Sequence, residues 1–126
     1  MQQENFSIKK RLQSFKYALN GLKILIIEEH NSRIHLFTAI IVIILGFLLK
    51  ISSSEWLAVS FAIGFVITSE IINSAIENIA DFVSPDKNDL IKKVKDLAAA
   101  AVLISAITAL AIGIIIFLPK IIMYVR

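Results

Sequence analysis

Four acidic or amide side chains recur at helical spacing in the middle of the chain. They are separated by three, four and four residues, and they are Glu70, Asn73, Glu77 and Asp81. Because an α-helix turns about 100° per residue, this spacing places them on one stripe of a single helix. Carboxylates one or two turns apart can hold hard cations. We call these four residues, together with Ser74, the acidic stripe.

The acidic stripe permits two interpretations. Residues 52–69 before it are apolar enough to enter a bilayer, and carboxylates in a membrane helix are costly and typically mark a functional site. The solvated face of a soluble amphipathic helix would show the same spacing. The opposite face favours the membrane, because it carries bulky apolar side chains without polar relief: Ile63, Ile67, Ile71, Ile76 and Ile79.

The whole chain is more apolar than an ordinary soluble domain. Its 126 residues are 57% hydrophobic, whereas soluble domains contain roughly 45–50% apolar residues. The length predicts a single domain, residues 1–126. The absence of cysteine excludes a disulfide framework and a thiolate metal site. We therefore expect one integral membrane domain.

Apolar periodicity predicts an all-α fold with one surface helix and three membrane spans. Residues 6–28 combine an apolar stripe with a basic polar face, which is typical of a helix lying in the membrane interface. A helix packed on its own domain, with solvated lysines, would look similar. The apolar runs at 34–51, 55–83 and 97–118 are predicted to span the bilayer.

Local signals set the predicted ends of these helices. Ser52 and Glu55 have the spacing of a capping box at the start of the second span. Pro85 is predicted to stop that span, and Pro119 to end the third, because proline cannot continue the hydrogen-bond ladder. Residues 86–96 are predicted to be a charged connection between the two spans.

Basic residues predict the orientation. Ten lysines and arginines lie in the N-terminal segment and in the 86–96 connection, and three lie on the other side. This bias places the N-terminus in the cytoplasm and the C-terminus outside. The polar cluster at 28–33, which is either a turn or part of a site, would then share the cytoplasmic face with the end of the acidic stripe.

Carboxylates and lysines at one membrane face suit phosphoryl transfer to a lipid alcohol. Carboxylate-bound Mg²⁺ bridges nucleotide phosphates, lysine neutralises phosphate charge, and a buried carboxylate can remove a hydroxyl proton. The sequence has no GxxxxGKS or GxxxxGKT loop, so this would not be a P-loop fold. The same carboxylates would serve a small ion or proton carrier. A non-catalytic assembly protein could use the stripe only to join helices.

A longer motif narrows these alternatives. The sequence Glu70-Ile-Ile-Asn73-Ser74-Ala-Ile-Glu77 is followed by Asp81 and later by Lys95-Asp96. This pattern resembles the prokaryotic diacylglycerol kinase family, and the resemblance covers nearly the whole chain. Outside the motif, other residues match positions in the surface helix and before the first span: Tyr17, Gly21, Glu29 and Arg33.

The resemblance implies a lipid kinase that works as a homotrimer with shared active sites, with ATP as donor and Mg²⁺ as cofactor. Glu70 would be the catalytic base on the lipid hydroxyl, with Arg33 also at the lipid substrate. Glu29 and Glu77 would hold the metal. The side chains implied around the nucleotide are Lys10, Tyr17, Glu29, Asn73, Glu77, Lys95 and Asp96.

Two features bear on phosphate binding and on the acceptor. Lys10 stands where the family has a phosphate-binding arginine, with Arg11 beside it, and lysine lacks the bidentate fork of arginine.

Glu55-Trp56 and the sequence Ile-Phe-Leu-Pro at 116–119 are more similar to the Gram-positive-type branch. That branch implies undecaprenol as the acceptor, with diacylglycerol as the alternative, in the cytoplasmic membrane of a bacterium. No nucleic-acid partner is expected.

Overall fold

The computed structural model describes residues 6–126, and this part of the chain folds into four α-helices. They are α1 (Ile8–Glu28), α2 (His30–Leu48), α3 (Ser53–Val83) and α4 (Asp89–Val125). The helices α2, α3 and α4 are each long and apolar enough to cross a membrane. The structure thus confirms the predicted all-α fold with three helices of membrane-spanning length.

The first helix is attached to the others mainly at its C-terminal end. Ser7 caps its N-terminus, where the hydroxyl accepts a hydrogen bond from the backbone N–H of Lys10 at 3.4 Å. Leu25, near the other end, is the residue of α1 that becomes buried. The large apolar side chains of α1 from Ile8 to Leu22 remain exposed in the single chain.

The turn between α2 and α3 is closed by local hydrogen bonds. Lys50 adopts a left-handed backbone conformation with φ of 51°, and the N–H of Ile51 returns to the carbonyl of Gly46 at 3.1 Å. The predicted capping box is confirmed. The hydroxyl of Ser52 accepts from the N–H of Glu55 at 3.2 Å, and the Glu55 carboxylate accepts from the N–H of Ser52 at 3.0 Å.

Beside this turn, three helices pack at the end of the molecule remote from the acidic stripe. Buried Ile51, Val59 and Phe117 form a core cluster against which Trp56 packs. The cluster joins the end of α2, the start of α3 and the late part of α4. Lys120 on α4 also lies 3.3 Å from the Glu55 carboxylate.

Two predicted boundaries of the last helix are wrong. Asn88 caps α4 by accepting from the N–H of Leu90 at 2.8 Å, so helix replaces most of the predicted 86–96 connection. At the other end, α4 continues through Pro119 to Val125. Proline removes one backbone hydrogen bond, but stopping the helix in an apolar environment would leave several backbone groups unsatisfied. Continuing the helix through Pro119 therefore costs less free energy than ending it there.

The length of α3 sets the depth of the acidic stripe. At 1.5 Å per residue, Glu70 lies about 26 Å along the helix from Ser53, and Glu77 about 36 Å. The hydrocarbon layer is about 30 Å thick. If α3 enters at one edge of that layer, Glu70 is close to the opposite edge and Glu77 lies beyond it.

We expect Gly46→Ala to lower the thermal unfolding midpoint of the protein in detergent micelles. A Cβ at Gly46 would lie 2.6 Å from Cη2 and 2.9 Å from Cζ2 of Trp56, so the indole would have to move out of the core cluster. Overpacking of this kind costs about 1–3 kcal/mol.

The matched control for this experiment is Gly64→Ala on α3. A Cβ at Gly64 meets nothing within 4 Å, and alanine is favoured over glycine within a helix by about 0.5–1 kcal/mol. The control should unfold at the same temperature as the unmodified protein or higher. Equal midpoints for the two variants would contradict the proposed packing role of Gly46.

Candidate active site

A one-residue break between α1 and α2 directs Glu29 towards α3. Glu29 has extended backbone angles, φ −106° and ψ 106°, and caps both helices. Its N–H bonds to the carbonyl of Leu25 at 3.1 Å, and its own carbonyl accepts from the N–H of Arg33 at 3.3 Å. The Glu29 carboxylate accepts a hydrogen bond from the Ser74 hydroxyl at 2.9 Å. The break therefore brings this acid to the acidic stripe.

Glu70 is buried between α3 and α2, with 4% of the residue exposed. Its Oε1 lies 3.1 Å from Nε2 of His35, and its Oε2 accepts from the hydroxyl of Ser32 at 3.4 Å. Burial of a carboxylate without hydrogen-bond partners is strongly unfavourable. The two hydrogen-bond donors on α2 therefore stabilise the buried carboxylate of Glu70.

These contacts form a crossed pair of carboxylate–hydroxyl interactions. Glu29 reaches from the start of α2 to Ser74 on α3, and Glu70 on α3 reaches back to Ser32 on α2. Glu70 and Ser74 are four residues apart, which is about one turn of helix. The two carboxylates are thus held by the same pair of helices within about one turn of each other.

Glu77 extends the acid cluster away from the buried end. It is half-buried and follows Ser74 by three residues, so it lies on the face of α3 that contacts Glu29. Carboxylate oxygens are suitable ligands for Mg²⁺, which is usually bound by one or two carboxylates plus substrate phosphates and waters. Within residues 6–126 of one chain, no group of three or more histidine or acidic side chains could hold a metal. The carboxylates that the cluster offers beside Ser74 are those of Glu29 and Glu77.

Asn73 lies between the two acids in the sequence of α3. Its side-chain Oδ1 is buried and has no hydrogen-bond partner in the described part of the chain. An unsatisfied buried acceptor costs about 1–3 kcal/mol. Among the described residues no donor reaches this atom.

The start of α4 adds basic groups next to the end of the stripe. Lys95 Nζ lies 2.5 Å from Oδ1 of Asp81, and it is near enough to Glu77 for their charges to interact. Asp96 is paired within α4 to Lys92 at 2.7 Å. Lys95 thus joins the cluster directly, whereas the ion pair of Asp96 is made with Lys92 on its own helix.

The predicted residues of α1 and early α2 stand apart from this cluster. Tyr17 is 70% exposed, and Lys10 and Arg33 are also exposed. In residues 6–126, the side chains of Tyr17 and Arg33 form no hydrogen bond or ion pair with the acidic stripe. A single chain therefore assembles five predicted site residues: Glu29, Glu70, Asn73, Glu77 and Lys95.

The sequence analysis missed two residues that contact the buried acid. Ser32 and His35 are the partners of Glu70. Their spacing of three residues puts them on one side of α2, and both stand near the start of an otherwise apolar helix. That placement was the available signal, but only the packing of α2 on α3 shows which acid they meet.

Comparison with known proteins extends the resemblance found in the motif. The family described as "Prokaryotic diacylglycerol kinase" matches residues 16–117. An undecaprenol kinase of Bacillus subtilis (strain 168) is 35% identical over 113 residues, covering 90% of this chain and 92% of that protein. A diacylglycerol kinase of Synechocystis sp. is 35% identical over 109 residues, covering 86% of this chain and 62% of that protein.

A third relative, a diacylglycerol kinase of Helicobacter pylori (strain 26695), is 34% identical over 99 residues, with 79% of this chain and 77% of that protein covered. The family match spans most of the helical bundle, including the acidic stripe and both of its partners on α2. Kinase activity implies ATP as the phosphoryl donor, and the three long apolar helices are those of a multi-pass membrane protein. The chain belongs to the prokaryotic diacylglycerol kinase family and is a membrane lipid kinase.

Proposed function

We propose that this kinase transfers the γ-phosphate of ATP to the hydroxyl of undecaprenol, with Glu70 as the general base. The observation that carries the proposal is the burial of Glu70 one turn from the Glu29–Ser74 contact. A proton acceptor at the edge of the hydrocarbon layer is thereby adjacent to acids suited to binding a metal–nucleotide complex. A lipid alcohol presents its hydroxyl at that boundary.

The proposed reaction uses Glu70 only for the proton. The acceptor hydroxyl gives its proton to the Glu70 carboxylate as its oxygen bonds to the γ-phosphorus, and the bond from that phosphorus to the oxygen of ADP breaks. Burial keeps water from competing for the phosphoryl group. A positioned base typically contributes 10²–10⁴-fold to the rate.

In the proposed site, Glu29 and Glu77 would hold Mg²⁺, which would neutralise charge on the ATP phosphates. Asn73 offers an unpartnered Oδ1, and Lys95 carries positive charge beside Glu77. We assign these groups to the nucleotide, with further contributions from Lys10, Tyr17 and Asp96. Arg33 is assigned to the lipid acceptor.

We also propose that the active protein is a homotrimer with shared sites. Support comes from Tyr17 and Arg33, whose side chains form no hydrogen bond or ion pair with the acidic stripe within residues 6–126. A second copy could supply them to a common site. Large apolar side chains on α2 and α4 are exposed in the single chain, which is compatible with lipid or protein neighbours. The positive-inside bias supports a cytoplasmic N-terminus and an outer C-terminus.

Two observations favour undecaprenol as the acceptor: the share of each relative's length that matches this chain, and the small number of polar side chains lining a cavity between the helices. The Bacillus subtilis undecaprenol kinase is matched over 92% of its length, and the Synechocystis diacylglycerol kinase over 62%, at equal identity. A cavity of about 570 Å³ between α2, α3 and α4 has only His35 and Thr38 as polar lining residues. Such a wall offers few donors for ester carbonyls, which diacylglycerol has and a polyprenol lacks. Diacylglycerol remains the alternative acceptor because its kinases are equally similar.

We expect Glu70→Gln to abolish most turnover while Mg²⁺-dependent ATP binding is kept. The amide cannot accept the proton, and loss of a general base typically lowers the rate 10²–10⁴-fold. Steady-state assays in mixed micelles measure the turnover, and nucleotide titration by calorimetry measures the Mg²⁺-dependent ATP binding. Turnover within about threefold of the unmodified protein would exclude Glu70 as the base.

Glu29→Gln and Glu77→Gln are each expected to weaken Mg²⁺–ATP binding by loss of a carboxylate ligand to a hard cation. The readout is the apparent Kd for ATP measured by calorimetry at several fixed Mg²⁺ concentrations. Glu28→Gln is the matched control, since Glu28 is adjacent but exposed. Unchanged affinity and Mg²⁺ dependence in both variants would remove these acids from the metal site.

The ratio of kcat/KM for undecaprenol and dioleoylglycerol, measured in the same micelles, should favour the polyprenol. Both acceptors present one primary hydroxyl, so the discrimination comes from apolar contact, which is worth about 1–3 kcal/mol per methylene-scale difference. A graded preference is therefore expected. A ratio favouring dioleoylglycerol by about tenfold or more would overturn the acceptor assignment and leave the kinase assignment intact.

A further inference from the structure

The buried carboxylate is held by two donors at unequal distances. His35 Nε2 lies 3.1 Å from Oε1 of Glu70, and the Ser32 hydroxyl lies 3.4 Å from Oε2. An ionised carboxylate can only accept hydrogen bonds, so both α2 side chains donate. His35 makes the shorter contact and is the stronger anchor of this carboxylate.

The imidazole also borders open space that the carboxylate does not reach. The side chain of His35 is 28% exposed, against 6% for Glu70. His35 lines the cavity between α2, α3 and α4, and it is the only titratable side chain among the described residues that form the lining. The same side chain therefore touches the buried acid and the apolar cavity.

We propose that His35 is the positioning residue for Glu70, and this inference rests on the proposed base role of that acid. The Nε2–H group fixes Oε1, which leaves Oε2, with its longer and weaker contact, as the oxygen presented to the acceptor hydroxyl. During transfer the hydroxyl proton moves to Oε2 while the hydroxyl oxygen bonds to the γ-phosphorus and ADP departs. His35 keeps its proton throughout, so its role is orientation.

A positioning role and a charge-balancing role predict different behaviour for glutamine. The glutamine amide offers an N–H donor at a reach similar to that of imidazole Nε2, but it never carries a charge. If His35 acts as a donor, His35→Gln retains most of the function that His35→Ala loses. If it acts by positive charge, the two variants fail equally.

The experiment measures kcat and KM for ATP at saturating Mg²⁺ and lipid, using the full-length protein in mixed micelles. We expect His35→Ala to lower kcat by about 10–100-fold, because small misplacements of a reacting group cost on that scale. The KM for ATP should stay within about twofold, since His35 contacts the base and not the metal-binding acids. His35→Gln should recover kcat to within about fivefold of the unmodified protein.

His30→Gln is the matched control, because it makes the same chemical change on the first turn of α2 at an exposed side chain. It should behave as the unmodified protein does. Three outcomes would each overturn the positioning role. The first is an unchanged kcat in His35→Ala, and the second is a rise in its KM for ATP in place of the fall in kcat. The third is a kcat of His35→Gln as low as that of His35→Ala.

A double substitution separates this inference from the proposed function. If His35 acts through Glu70, adding His35→Ala to Glu70→Gln should lower kcat no further, because the two changes remove one coupled function. Additive losses would overturn the positioning role and leave the base assignment intact. Near-normal turnover of Glu70→Gln alone would instead overturn the base assignment.

Discussion

A carboxylate buried between two long apolar helices is the constraint on which the rest of the structure depends. Glu70 is only 4% exposed, and burying a carboxylate without hydrogen-bond partners is costly. The cost is offset by His35 and Ser32 on α2. Burial of Glu70 on α3 therefore depends on the rotation and register of α2.

The two ends of the bundle have complementary roles. At the end remote from the acidic stripe, Trp56 packs on Gly46 and the core cluster joins α2, α3 and α4. This packing fixes the axial position of α2 against α3. At the other end the contacts are polar, since Glu29 and Lys95 meet Ser74 and Asp81. The apolar end thus positions the polar end of the bundle, which carries the acidic stripe.

The chain belongs to a kinase family although its sequence has no GxxxxGKS or GxxxxGKT phosphate loop. In phosphoryl transfer the protein contributes chiefly positioning and charge stabilisation, which acids, a metal and lysine can provide on helices. In this chain the acids and Lys95 lie on α3, on α4 and at the junction of α1 with α2.

Helical periodicity in the sequence was sufficient to define the acidic stripe, the three long apolar helices and the capping box at Ser52, because each depends on neighbours within four residues. The sequence also placed Glu70, Asn73 and Glu77 on one face of α3. The prediction that α4 ends at Pro119 was wrong. It considered the one hydrogen bond that proline removes, but not the larger cost of leaving several backbone groups unsatisfied in an apolar environment. The pairing of Glu70 with His35 and Ser32 was decided by tertiary structure alone. It depends on the packing of α2 against α3, which brings together Ser32 and Glu70, 38 residues apart in the sequence. No local pattern encodes that register.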